Sequence, residues 1–189
     1  MRAIRVDSPG GPNKLHLVEI PQPVPGPGQI LVKIHSSGVN FADIMCRRSE
    51  HPGMLAPPLI PGCEASGTIA AKGKDCQRYN EGDRVVVYSP WGGTYAELIT
   101  IPEMYALPLP GDMSFREGAA FTHTSLTAYH ALLTLGKAKQ SDWLLITAAA
   151  GGVGMAISQL AKTQGLRIIG CVGSDKKRTV LDKLGIQHQ

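Results

Sequence analysis

The chain has 189 residues, 43% of them hydrophobic and 18% charged, with a formal net charge of +4. That balance suits one good core or two small ones; the charge is too mild and too evenly spread to mark a nucleic-acid surface, and no apolar run reaches membrane-spanning length. Cys46, Cys63, Cys76 and Cys171 form no CxxC pair, and Met1–Val6 alternates like a strand rather than a secretory leader, so free thiols in a reducing, cytoplasmic setting are expected.

All fourteen prolines lie at or before Pro110, which separates a turn-rich first part from a helix-rich second. Residues 1–37 predict strands; in Gln29–His35, Ile30, Val32 and Ile34 share one face while Lys33 and His35 share the other. Pro21 through Gly28 form a stiff connector ahead of that strand. A short helix is predicted over Phe41–Arg48, a loop from His51 to Gly62, and strands over Cys63–Ala71, Arg84–Tyr88 and Gly93–Ile101. Together these predict a compact β-rich domain. Ser114 with Glu117 three residues on is a capping-box signature. Leu126, Tyr129, His130, Leu132 and Leu133 then fall at helical spacing within Thr124–Gly136. Trp143–Ala148 predicts a short strand of the buried type, with no partner strand for its far side in this chain. Val153, Ala156, Ile157, Leu160 and Ala161 give a helix stripe ending at Gly165. Leu166–Val172 is a further strand, and Arg178–Leu184 a helix ending at Gly185. Strand, helix and strand in that order make a βαβ unit, which requires a parallel sheet.

The turn inside that unit is Ala149-Ala150-Gly151-Gly152-Val153-Gly154. Small residues there let the backbone approach a pyrophosphate, and the amides and positive end of the helix attract its charge. Gly154 has a separate task, letting the helix pack closely on the strand. Ala149 stands where the dinucleotide fingerprint has its first glycine. A glycine-rich strand-to-helix turn without a ligand is the alternative. At the end of the second strand, Gly173 and Ser174 precede Lys176, Lys177 and Arg178; small and basic residues there suit a 2′-phosphate and favour NADPH over NADH. Asp175 is the contrary feature, and a merely solubilising basic stretch is the alternative.

Residues 141–162, "SDWLLITAAAGGVGMAISQLAK", resemble the signature segment of the quinone oxidoreductase and zeta-crystallin branch of the medium-chain dehydrogenase/reductases. The resemblance extends through "PGPGQILVKIHSSGVNFADIM" (25–45), "PGCEASGTI" (61–69), "EGDRVVVY" (81–88), "GGTYAEL" (92–98) and "SLTAYHALL" (125–133). It implies an α/β chain: a GroES-like β-rich domain over residues 1–118, then the N-terminal half of a Rossmann domain over 119–189, with the cofactor in the cleft between them. It also implies NADPH-dependent reduction of quinones or α,β-unsaturated carbonyls by hydride transfer, and a homodimeric parent enzyme. By position, Asn40 and Thr127 match residues at the nicotinamide end of the cleft. Gly151, Gly152, Val153 and Gly154 match the pyrophosphate turn, and Ser174 and Lys177 match the adenosine-phosphate contacts. His51 falls in the loop where several members carry a tyrosine beside the substrate.

The zinc alcohol dehydrogenases share this fold. Asn40 stands where they have a ligating cysteine and Cys63 where they have a histidine, so a catalytic zinc, which needs three strong ligands, is not expected. Without a Lewis acid a conjugated acceptor is the suitable substrate, with the Asn40 amide as hydrogen-bond donor to its carbonyl oxygen. A helix cap is the alternative role for Asn40; for His51 the alternatives are a proton source and an ordinary loop residue. The family's chains continue through a second half of the sheet, so a fragment, a shortened isoform and an incomplete gene model are all open. The competing function is a catalytically inactive cofactor-binding or scaffold protein.

Overall fold

The computed structural model describes residues 1–53 and 56–188. Met54 and Leu55, within the loop expected over His51–Gly62, and Gln189 lie outside the described residues. The chain falls into two compact units, Met1–His123 and Thr124–Gln189.

The first unit opens with β1 (Arg2–Val6), paired antiparallel with β2 (Leu15–Glu19). Then follow β3 (Gln29–Ser37), α1 (Phe41–Arg48), β4 (Glu64–Lys72), β5 (Arg84–Tyr88), β6 (Leu98–Pro102) and β7 (Ala106–Pro108). A short helix, α2 (Phe115–Ala119), precedes α3 (Thr122–Tyr129). Five strands form one antiparallel sheet in the order β6-β3-β4-β5-β7. The alternation read in β3 decides its inner face. Ile30 and Val32 are fully buried and pack with Ala65, Ile69, Val85, Val87, Ile99 and Ile101, whereas Lys33 and His35 face water. The strand expected at Gly93 starts only at Leu98. Before it, Gly92 and Gly93 take φ of 90° and 104°, and Tyr95 pairs with Pro61 and Ile4 outside the ladder.

The second unit holds β8 (Trp143–Ile146), α4 (Gly152–Thr163), β9 (Arg167–Gly170), α5 (Arg178–Lys183) and β10 (Gln187–His188). Its strands are parallel in the order β10-β9-β8. That is the 3-2-1 order of one half of a doubly wound sheet. Leu132, Ile146, Ala149, Ala161, Ile168 and Leu181 form its core. The helix expected to stop at Gly136 widens first: residues His130–Leu135 are π-helical, and the Gly136 N–H bonds the Ala131 carbonyl at 2.9 Å. Gly136 is not left-handed; its use is close approach, because a Cβ there would lie 2.8 Å from the Ala131 oxygen. The left-handed residue is the next one, Lys137, with φ 48°.

Strand β8, expected as a buried-type strand without a partner on its far side, is bare there. Trp143 and Leu145 are 60% and 63% exposed, and only Ile146 is buried. Its one sheet neighbour is β9, so its outer edge and half of its side chains have no cover from this unit. Among the described residues no helix is long and apolar enough to cross a membrane.

Candidate functional site

In the first unit the predicted site residue Asn40, at the N-cap of α1, lies in a cluster of buried polar side chains. The Asn40 backbone N–H donates to Asp43 Oδ2 at 2.8 Å, a reciprocal contact across the first turn that fixes the chain's entry into the helix. The Asn40 side chain completes the capping box by facing the Asp43 backbone N–H, and its amide nitrogen reaches further: Nδ2 donates to Glu64 Oε1 at 2.9 Å. The other Glu64 oxygen, Oε2, accepts the His123 N–H at 2.7 Å, one of the amides that the start of α3 leaves outside its own ladder. Glu64 is 1% exposed and Asp43 4%. Buried carboxylates are tolerated only where several donors converge on them, and that is the case for both. Asp43 also accepts from the Cys63 thiol at 3.3 Å and from the Tyr95 hydroxyl at 3.1 Å.

These contacts set the state of Cys63 and Tyr95. Burial, reinforced by the negative charge of Asp43 and the hydrogen bond to it, pushes the Cys63 thiol well above its ordinary value. Tyr95 is pushed up by the same causes in the same order, burial first and Asp43 next. Both groups are hydrogen-bond donors at neutral pH, neither a nucleophile nor an anion.

Sequence reasoning missed Asp43 and Glu64 as working parts of this cluster. The signal for Asp43 is its spacing from Asn40, the same interval that marks Ser114 and Glu117. For Glu64 it is an acid at the start of a strand whose next three residues are all buried. Gly38 belongs here too. A Cβ on it would lie 2.5 Å from Glu64 Oε1 and 2.3 Å from the Ala119 carbonyl oxygen, so it is a notch shaped around the glutamate. His51, beyond the end of α1, is half-buried; its Nδ1 is buried and has no partner among the described residues.

In the second unit the glycine turn sits between β8 and α4. Gly151 is the N-cap, with φ −85° and ψ 169° and no capping side chain. The first intrahelical bond is Met155 N–H to Gly151 O at 2.8 Å. The amides of Gly152, Val153 and Gly154 therefore lie outside the helical ladder, as donors at its positive end. The left-handed position falls on Ala148, with φ 51°, and not on Ala149. Ala149 is fully buried instead, and its N–H bonds Cys171 O at 3.0 Å, tying the turn to the end of β9. Gly154 meets the packing role read for it: a Cβ would come within 2.6 Å of Ala148 O.

Beyond β9, Gly173 borders open space and Ser174 opens a single turn over Asp175–Lys177, with Ser174 and Lys177 both exposed. Asp175, the feature against a 2′-phosphate, is engaged by Arg178 Nε at 3.2 Å. Thr127 lies on α3 in this unit and is exposed.

The model of the alcohol dehydrogenase GroES-like domain matches residues 26–111. Mouse quinone oxidoreductase is 38% identical over 183 residues, which cover 96% of this chain and 55% of that protein. The crystal structure of Escherichia coli quinone oxidoreductase complexed with NADPH superposes with a TM-score of 0.92 at 33% identity, covering 100% of this chain and 58% of that one. The human synaptic vesicle membrane protein VAT-1 homolog-like protein gives the same TM-score, 0.92, and identity, 33%, covering 100% of this chain and 60% of that structure. The chain spans about half the length of the curated relatives it matches. With its GroES-like domain and the first half of a Rossmann sheet, the chain belongs to the medium-chain dehydrogenase/reductase superfamily, beside the quinone oxidoreductases.

Proposed function

We propose that this chain carries the substrate-handling and phosphate-binding parts of a zinc-independent, NADPH-dependent reductase of quinones and α,β-unsaturated carbonyls. The observation that carries the reading is the α4 N-terminus: three amides outside the helical ladder, on a junction too tight for any side chain at Gly154. A diphosphate is the ligand such a junction suits. Gly173, Ser174 and Lys177 then serve the adenosine end, where small and basic groups accommodate a 2′-phosphate. The reading divides the chain into a substrate-handling domain to residue 118 and a dinucleotide-binding part from 119.

The bound nicotinamide would supply hydride. What this chain's residues supply is orientation and a donor. Asn40 presents an amide proton to the carbonyl oxygen on which negative charge develops. Its neighbours Val39 and Phe41 are 78% and 71% exposed, apolar surface suited to a conjugated ring rather than to a small polar alcohol. Thr127 is assigned to the nicotinamide side and His51 to proton supply.

The donor set does not suit zinc. A catalytic zinc needs three strong protein ligands, whereas the Cys63 thiol is engaged as a donor to Asp43 Oδ1 at 3.3 Å and, among the described residues, no group of three or more His, Cys, Asp or Glu is placed to hold a metal ion. Asn40 is committed to Glu64.

The test is titration with NADPH and with NADH, followed by cofactor oxidation on addition of a benzoquinone, with and without a chelator. NADPH binding, preference over NADH and chelator-insensitive turnover are expected. No NADPH binding sinks the cofactor assignment, and chelator-sensitive turnover sinks zinc independence.

A further inference from the structure

Asn40 is an unusual hydrogen-bond donor because two contacts orient its amide, the cap to the Asp43 backbone and a buried carboxylate that takes the nitrogen end. We infer that Glu64 is a positioning residue for the reaction: it takes one Nδ2 proton of Asn40 and leaves the second as the donor to substrate. This rests on the reading of Asn40 given above.

Three features converge on that assignment. Two N–H donors converge on the Glu64 side chain, Asn40 Nδ2 at 2.9 Å and the His123 amide at 2.7 Å. A carboxylate flanked by N–H groups accepts only, so a flipped Asn40 would set its Oδ1 against a negative oxygen. The glutamate itself cannot wander. It is 1% exposed, its main-chain carbonyl accepts from the Gly38 N–H at 3.1 Å, and its side chain fills the notch left by Gly38. Asn40 is only half-buried between two exposed apolar neighbours, so the amide proton that Glu64 does not take remains within reach of a ligand. An acceptor bearing charge also polarises the amide and strengthens the donor on the same nitrogen.

Two variants separate positioning from mere packing. Glu64→Gln preserves shape but offers one acceptor oxygen to two N–H groups, so the Asn40 amide loses its fixed orientation. Thr94→Val removes a hydrogen bond of 3.1 Å to the Glu64 main-chain carbonyl, where neither carboxylate oxygen takes part, and so leaves the carboxylate and its partners intact. Side-chain amide NMR of the 189-residue chain reads the first effect without any cofactor. The chain has only three asparagines, Asn13, Asn40 and Asn80, and loss of a signal in Asn40→Ser assigns the pair. In the wild type the two Asn40 protons are expected to be widely split, one of them protected from solvent. Glu64→Gln is expected to collapse the splitting and the protection, and Thr94→Val to keep both. In NADPH-driven quinone reduction, Glu64→Gln is expected to lower kcat about tenfold to a hundredfold with NADPH affinity unchanged, and Thr94→Val to leave kcat near wild type. Wild-type Asn40 protons that exchange as fast as those of Asn13 overturn the inference even if Glu64→Gln fails to fold. So does an Asn40 signal unmoved by Glu64→Gln, or an equal loss of kcat in both variants. A wild-type chain that reduces no quinone overturns the functional reading instead, and the NMR result then still decides whether Glu64 holds the amide.

Discussion

Gly154 and Ala149 approach so closely that a Cβ on the glycine would stand 2.7 Å from the Ala149 Cα. The Ala148 carbonyl oxygen would be nearer still, at 2.6 Å. All these atoms are backbone, with no flexible end to swing aside. Gly154→Ala therefore has to push α4 off β8, an overpacking cost of about 1–3 kcal/mol, visible as a lower midpoint in urea. NADPH affinity falls with it. Gly152→Ala provides the contrast. Its Cβ meets only the Thr124 Cγ2 methyl at 3.1 Å, and Gly152 is exposed. Stability should stay within about 0.5 kcal/mol, while a methyl on the amide surface weakens NADPH binding about tenfold. Paired urea and NADPH titrations of both variants check this; unchanged affinity in Gly152→Ala would remove the phosphate from the turn.

The Cys63 and Asp43 pair makes stability depend on pH at the alkaline end. Cys63 ionises near its ordinary value, 9.0, when the chain is unfolded, and its folded value is raised by burial and by Asp43. The folded state thus holds a proton that the unfolded state has released. Its stabilising contribution is intact below about pH 9 and is lost as pH rises toward the folded value, by about 1.4 kcal/mol per pH unit for one group. Tyr95 adds a second such slope above its ordinary value of 10.0. Cys63→Ala should flatten the decline between pH 9 and 10 by one proton's worth, read from urea midpoints across that range. An unchanged slope would mean that the thiol is not held as described.

The proposed function puts cofactor choice on exposed groups at the end of β9, where it can be altered without touching the core. Ser174→Asp places a carboxylate where a ribose 2′-hydroxyl is bound and a 2′-phosphate repelled. Lys177→Ala removes a cation from the same turn. The double variant is expected to lower the NADPH-over-NADH preference at least about tenfold, each factor of ten being about 1.4 kcal/mol. Its thermal midpoint should not move, because both side chains are exposed. Competitive titration with the two cofactors measures it; an unaltered ratio would place the 2′-phosphate elsewhere.

How much of this was legible depends on the range of the interaction. The βαβ unit, the Ser114–Glu117 capping box and the packing glycine at 154 are local, set by residues within a few positions of one another, and periodicity and spacing report them. The left-handed step at Ala148 in place of Ala149 lay one residue away from the fingerprint position. The cluster around Asn40 was not legible. Asn40 meets Glu64 across 24 positions, Asp43 meets Tyr95 across 52, and Glu64 meets His123 across 59. Only the tertiary fold brings them together, and no spacing rule announces a buried glutamate whose side-chain partners come from the starts of two different helices.

The last prediction inverts the Asn40–Glu64 bond. Asn40→Asp replaces a donor with an acceptor opposite a buried carboxylate, leaving Glu64 Oε1 facing like charge at the 2.9 Å contact. Losing a hydrogen bond and leaving a buried acceptor unsatisfied costs about 1–3 kcal/mol, and more while both groups are ionised. The penalty should shrink as pH falls, because a protonated carboxyl at position 40 can donate again. Adding Glu64→Gln restores every partner: the new amide N–H donates to the introduced carboxylate, and its oxygen accepts the His123 N–H. The double variant should therefore regain most of the stability lost in Asn40→Asp, a coupling that urea denaturation of the four proteins measures as a double-mutant cycle. It should not regain quinone reduction, because position 40 then carries no proton to offer the substrate oxygen. Additive stabilities would show that the two side chains do not share a hydrogen bond, and restored turnover would show that Asn40 is not the donor.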